Sequence, residues 1–92
     1  YGGEEFALIL PGTSLAASRN LIARLKDSIA DIAYKFDGRN TIRITASIGV
    51  AGYQENAAYF REPRDLIKAA DSALYAAKHA GRNRVMEWSQ NV

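Results

Sequence analysis

Two stretches of the sequence concentrate groups that can do chemistry. In Tyr1-Gly2-Gly3-Glu4-Glu5-Phe6, two glycines stand directly before two adjacent carboxylates. Hard cations such as Mg²⁺ prefer carboxylate oxygens, commonly one or two from protein with the rest from water and phosphate. Gly2 and Gly3 tolerate positive φ and leave room for a bulky ligand near the backbone. Strand alternation would send Glu4 and Glu5 to opposite faces. At a turn that alternation relaxes, and both can approach one ion. The competing account is an exposed hairpin tip with solubilising acids. Far along the chain, Lys78-His79-Ala80-Gly81-Arg82-Asn83-Arg84 carries three full positive charges, one histidine and no acid. Lys78 and Arg82 are one helical turn apart. A lysine point charge beside an arginine fork suits a phosphate chain. The alternative is a solvated helix end whose cations complement the dipole.

Other chemistries are poorly supplied. Cysteine is absent, which excludes disulfides and thiolate metal sites and fits a reducing cytoplasm. No serine stands in a nucleophile motif, and Pro11-Gly12-Thr13-Ser14 lacks the lysine of a phosphate-cradling Walker loop. His79, the only histidine, reads as a surface residue at a helix end. A net charge of +2 is too small to argue for nucleic acid, and Trp88 and the tyrosines form no regular stacking ladder. No apolar run reaches the ~20 residues of a membrane span.

The elements that must position these groups follow from hydrophobic period. Residues 4–10 become continuously apolar after the acids and read as a short buried strand, with Gly2-Gly3 as its hairpin turn. Pro11-Gly12 stops it, and Thr13 or Ser14 can cap a helix. Leu15, Leu21, Ile22, Leu25, Ile29, Ile32 and Phe36 recur at helical spacing, which predicts an amphipathic helix over roughly 14–35. Ile42, Ile44, Ala46, Ile48 and Val50 alternate with small or polar residues, which predicts a strand around 41–51. Gly49 within it marks a bulge or a close backbone approach. Residues 52–62 read as a loop anchored by Tyr53, Tyr59 and Phe60. Pro63 suits the first turn of a second helix, with Leu66, Ile67, Ala70, Ala73, Leu74 and Ala77 as its inner stripe. Gly81 falls at a helix C-terminus, and residues 84–88 read as a final strand. Ninety-two residues ordered β-α-β-α-β make one small α/β sandwich with helices on a sheet.

The quoted segments together resemble the GGDEF family, the diguanylate cyclases. Tyr1–Phe6 is similar to the family's defining turn, with Glu in place of Asp at its third position. Leu10–Ser14, Ile44–Ala51 and Ala69–Val85 are similar to its later blocks in order and spacing, so the resemblance covers essentially the whole chain. It implies a palm-like, nucleotidyl-cyclase-like fold with helices packed on a central mixed sheet. It implies that Glu4 is a metal-binding carboxylate and general base, with Glu5 as a neighbouring catalytic and metal-binding acid. Gly2 and Gly3 would let GTP approach the turn, and Lys78 and Arg82 would hold its terminal phosphates. The implied ion is Mg²⁺, with Mn²⁺ as a substitute. The implied reaction joins two GTP into cyclic di-GMP with release of pyrophosphate, and needs two domains face to face as a homodimer.

Full domains of this family are nearly twice as long, with an earlier strand carrying a metal-binding aspartate and helices that recognise guanine. Neither lies within 1–92. The chain therefore reads as the C-terminal half of a single GGDEF domain, inactive in isolation, from a parent protein with an upstream sensor domain. The parent's cyclase domain is expected in the cytoplasm, whether or not the parent is membrane-anchored, with no nucleic-acid or direct membrane contact by this segment. The alternative function is a catalytically inactive regulatory module that binds GTP or cyclic di-GMP.

Overall fold

The second helix shows how sequence sets the packing. Glu62 is extended (φ −130°, ψ 150°), and Pro63 opens α2, Pro63–His79, where a missing N–H costs nothing. Asp65 stands in its first turn, and Lys78 and His79 in its last, each charge matched to its end of the dipole. Ala69, Ala73 and Ala77 recur every fourth residue and form the buried seam. Methyl groups along that seam let another backbone come close. The partner is Gly49, where an added Cβ would collide with the Ala70 carbonyl oxygen and the Leu74 amide nitrogen. Of the two sequence-based options for Gly49, the close approach is the one realised.

The computed structural model describes residues 8, 10–35, 41–53 and 60–89, with the backbone alone for 33–35 and 41–43. Element order is α1 (Leu15–Ala30), β1 (Ala33–Lys35), β2 (Thr41–Arg43), β3 (Ile48–Val50), α2 and β4 (Val85–Glu87). The mixed helix and strand content is that of an α/β fold. The first expected strand, residues 4–10, falls almost wholly outside the described residues.

Among the described residues the strands form two pairs. β1 and β2 are antiparallel, with Tyr34 opposite Ile42. β3 and β4 are parallel, with Ile48, Gly49 and Val50 opposite Val85, Met86 and Glu87. A parallel pair needs a long crossover, and α2 supplies it. Two further backbone bonds extend this ladder, Ile48 N–H to the Arg84 carbonyl (2.9 Å) and Trp88 N–H to the Val50 carbonyl (2.7 Å). Phe60 packs on Trp88 with ring centroids 5.4 Å apart, so it anchors its loop as expected. Tyr53 does not, being 58% exposed, and Tyr59 lies outside the described residues.

α1 begins where Ser14, extended at φ −73° and ψ 163°, accepts the Ala17 N–H on its Oγ at 3.1 Å. Of the two expected caps, Ser14 is the one used. Leu15, Ser18 and Ile22 are its buried residues. The Ser18 hydroxyl donates to the Leu15 carbonyl at 2.8 Å, so burial leaves it satisfied. At the far side Arg19 clamps Glu87 of β4 through two bonds, Nε to Oε2 at 2.6 Å and Nη2 to Oε1 at 2.9 Å.

Three expectations are corrected. The first helix ends at Ala30, with Asp31 capping it, not near residue 35. Ala33–Lys35 instead pairs with Thr41–Arg43, because strand pairing satisfies these backbone groups and a branched and aromatic run suits a strand. The single strand over 41–51 is two short ones separated by residues 44–47, since its two ends pair with different partners. The apolar stripes are only partly covered. Leu21 and Leu25 of α1 are each 42% exposed, Ile44 is 52% and Ile67 is 45%. The described elements bury only the Leu15–Ser18–Ile22 line and the alanine seam.

Candidate functional site

The basic end of α2 is built by a specific backbone stop. Ala80 caps the helix. Gly81 follows at φ 123°, and Arg82 N–H returns to the Ala77 carbonyl at 2.9 Å. This is the six-to-one bond of a Schellman motif, with glycine at the position that favours positive φ. The chain does not relax at once. Arg82 and Asn83 also have positive φ, 64° and 48°, a conformation that arginine resists and asparagine tolerates better. Arg84 Nε then donates to the Arg82 carbonyl at 3.1 Å, and Asn83 N–H donates to Ser47 Oγ at 3.1 Å. One residue later the chain enters β4 beside β3. The turn is therefore tied at both sides, to the last turn of α2 and to the start of β3.

The structure brings Lys78 and Arg82 to the same helix end. Lys78 sits half-buried in the last turn of α2, and Arg82 is exposed beyond the Schellman turn. Among the described residues the Arg82 guanidinium makes no ion pair. Arg84 adds a third cation, exposed beside the same turn. Such a cluster, set by backbone bonds, can compensate several phosphate charges.

His79 is exposed. Its Nδ1 lies 2.9 Å from the Tyr75 carbonyl, which can only accept, so Nδ1 carries the hydrogen. The ring stacks on Tyr75 with centroids 3.8 Å apart. These contacts are those of a helix-surface residue, as the sequence suggests.

Gly2, Gly3, Glu4 and Glu5 lie outside the described residues. Among the described residues, no cluster of three or more His, Cys, Asp or Glu side chains is arranged to hold a metal ion. A cleft between α1 and the β3–β4 pair is lined by Ser18, Arg19, Ile22, Val50 and Glu87, among others, at about 170 Å³. That is below the ~300 Å³ at which small-molecule pockets usually begin, and none of its lining residues belongs to the basic turn. Ser47 carries no signal in the sequence that would separate it from the neighbouring small residues. Its tie to Asn83 becomes visible only once β3 and β4 are placed side by side.

An α/β domain whose parallel strand pair is entered through a cationic, backbone-tied turn is the class that the fold and this site define. The family model described as "Diguanylate cyclase, GGDEF domain" matches residues 1–84, and the chain belongs to that family. It is 42% identical over 85 residues to Diguanylate cyclase DgcP of Pseudomonas aeruginosa, covering 92% of this chain and 12% of that protein. It is 38% identical over 92 residues to Diguanylate cyclase A of Treponema denticola, covering 100% of this chain and 24% of that protein. It is 40% identical over 86 residues to Diguanylate cyclase DgcM of Escherichia coli K12, covering 94% of this chain and 19% of that protein. The chain thus spans between 12% and 24% of the length of these curated relatives.

Proposed function

We propose that this chain is the C-terminal half of a GGDEF domain and serves a diguanylate cyclase that condenses two GTP into cyclic di-GMP. The observation that carries this is the placement of Lys78 and Arg82 at one tied helix end in a chain of this family. Support also comes from the relatives named as diguanylate cyclases and from the paired acids Glu4 and Glu5 of the sequence.

In this scheme Lys78 and Arg82 bind the terminal phosphates of GTP. Their charge offsets what accumulates on the departing pyrophosphate. The ribose 3′-oxygen of one nucleotide attacks the α-phosphorus of the other. A phosphorus–oxygen bond forms there, and the bond from that phosphorus to the bridging oxygen breaks, so pyrophosphate leaves with the electron pair. Glu4 takes the proton released by the 3′-hydroxyl. Glu5 is a second acid near the same phosphates. Gly2 and Gly3 let the nucleotide approach the backbone. The hard carboxylate oxygens of Glu4 and Glu5 fit Mg²⁺ or Mn²⁺, and such an ion, when bound, lowers the pKa of the attacking hydroxyl and offsets phosphate charge. Two domains face each other, each with one GTP, so the working unit is a homodimer. An additional sensor domain fits the small share of each relative that this chain covers. No described helix is long and apolar enough to cross a membrane. Cytoplasmic placement of the domain follows from the need for GTP.

The test is cyclic di-GMP production from GTP and Mg²⁺ by the full-length protein and its Lys78→Ala and Arg82→Ala variants. The wild type is expected to form product, and each variant to lose at least about tenfold in kcat/KM, in line with loss of a charged hydrogen bond of ~1.5–3 kcal/mol. Product formation unchanged in both variants would remove the basic turn from the site.

A further inference from the structure

The Arg82–Asn83 turn is costly to hold, and the structure shows what holds it. Non-glycine residues in the left-handed region persist where their surroundings over-determine them, and arginine resists it more than asparagine does. Here two such residues stand in succession, at φ 64° and 48°. Most of their ties are local. Arg82 N–H reaches back to Ala77, and Arg84 Nε reaches back to the Arg82 carbonyl. The exception comes from 36 residues away in sequence, where the Ser47 hydroxyl accepts the Asn83 N–H at 3.1 Å. Ser47 is itself fixed, because Ile48 N–H, the next donor along, bonds the Arg84 carbonyl at 2.9 Å. A side chain and a backbone group from consecutive residues thus grip both ends of Asn83-Arg84.

We infer that Ser47 is a positioning residue for the phosphate-binding turn: its hydroxyl holds Asn83 in the left-handed conformation that fixes where the Arg82 guanidinium points. This rests on the proposed role of Arg82 toward GTP phosphates. Without the hydroxyl, the Asn83 N–H loses its partner, the turn can return to negative φ, and Arg82 samples orientations that no longer meet the phosphates together with Lys78. Ser47 touches no substrate in this account. Its effect passes through Arg82.

The experiment is a double-mutant cycle in the full-length protein, read by calorimetric binding of inorganic tripolyphosphate. The variants are Ser47→Ala, Ser47→Thr, Arg82→Ala and the Ser47→Ala/Arg82→Ala pair. Ser47→Ala is expected to weaken binding about fivefold, the equivalent of one ordinary hydrogen bond. Ser47→Thr, which keeps the hydroxyl, is expected to stay within about twofold of wild type. In the Arg82→Ala background, Ser47→Ala is expected to add nothing. Amide exchange at Asn83 should quicken in Ser47→Ala and not in Ser47→Thr. Unchanged affinity in Ser47→Ala, or the same loss with and without Arg82, overturns the inference, and so does a wild type that binds no tripolyphosphate. The cycle separates this from the activity itself. A coupled Ser47–Arg82 effect without cyclic di-GMP formation leaves the positioning role standing and rejects the cyclase. Cyclic di-GMP formation without that coupling does the reverse.

Discussion

Arg19 and Glu87 meet in a bidentate geometry across 68 residues of sequence, and their pairing links α1 to β4. The Arg19 hydrogen bond holds the Glu87 carboxyl below the usual glutamate range, against a smaller upward push from burial and with a still smaller Coulombic pull from the same guanidinium. A carboxylate whose folded pKa is depressed stabilises the fold above its unfolded value, here about 4.5, and gives that up as pH falls through the depressed folded value. Arg19 is 59% exposed and Glu87 29%, so solvent screens the pair and its worth is below about 1 kcal/mol. Urea titrations of wild type and Glu87→Gln should therefore differ by less than ~1 kcal/mol at pH 7, and the curves should converge as pH falls from about 4.5 through the depressed folded value. A gap that persists or widens in acid would place the effect in packing instead.

At the scale of elements, the contact between α2 and β3 is set by what is missing from Gly49. The Ala70 carbonyl and Leu74 amide occupy the space a Cβ would need, and both are helix backbone that cannot swing away. Gly49→Ala should therefore destabilise the domain by at least ~2 kcal/mol through overpacking, read as a lower denaturant midpoint with little change in m-value. A substitution tolerated within ~0.5 kcal/mol would show that α2 and β3 are not this close. Much of this level was legible beforehand. Pro63, the alanine repeat and Gly81 marked α2 to its ends, because caps and helical period are local signals. Ser14 and Pro11-Gly12 did the same for the start of α1. The end of α1 was not legible, because Ile29, Ile32 and Phe36 continue the helical period while Ala33–Lys35 pairs with the strand 41–43, a partnership that no local signal announces. The break at 44–47 escaped for the same reason. Alternation reports that residues are extended, not which neighbour each half finds. In the site, Lys78 and Arg82 were legible as charges at helical spacing, whereas the left-handed pair and its tie to Ser47 depend on the β3–β4 register.

Across the whole molecule, the buried apolar side chains among the described residues are Leu15, Ile22, Ala69, Ala73 and Ala77. Leu8, Leu21, Leu25, Ile32, Ile44 and Ile67 are all more than two-fifths exposed. Large apolar side chains left this exposed on several elements favour packing against another surface. The 92-residue chain alone should therefore self-associate, and sizing chromatography with light scattering should give a mass above the 10.1 kDa of one copy. A clean monomer across micromolar concentrations would contradict that. We propose that the acids Glu4 and Glu5 and the cations after α2 converge on one triphosphate. Paramagnetic broadening by Mn²⁺ in the presence of a non-hydrolysable GTP analogue tests this most directly, in the full-length protein labelled with ¹⁵N. The account predicts that amide signals of residues 2–5 and 78–84 broaden together, and that Glu4→Gln weakens the effect at both. Broadening confined to one group, with the other unaffected at saturating nucleotide, would contradict it.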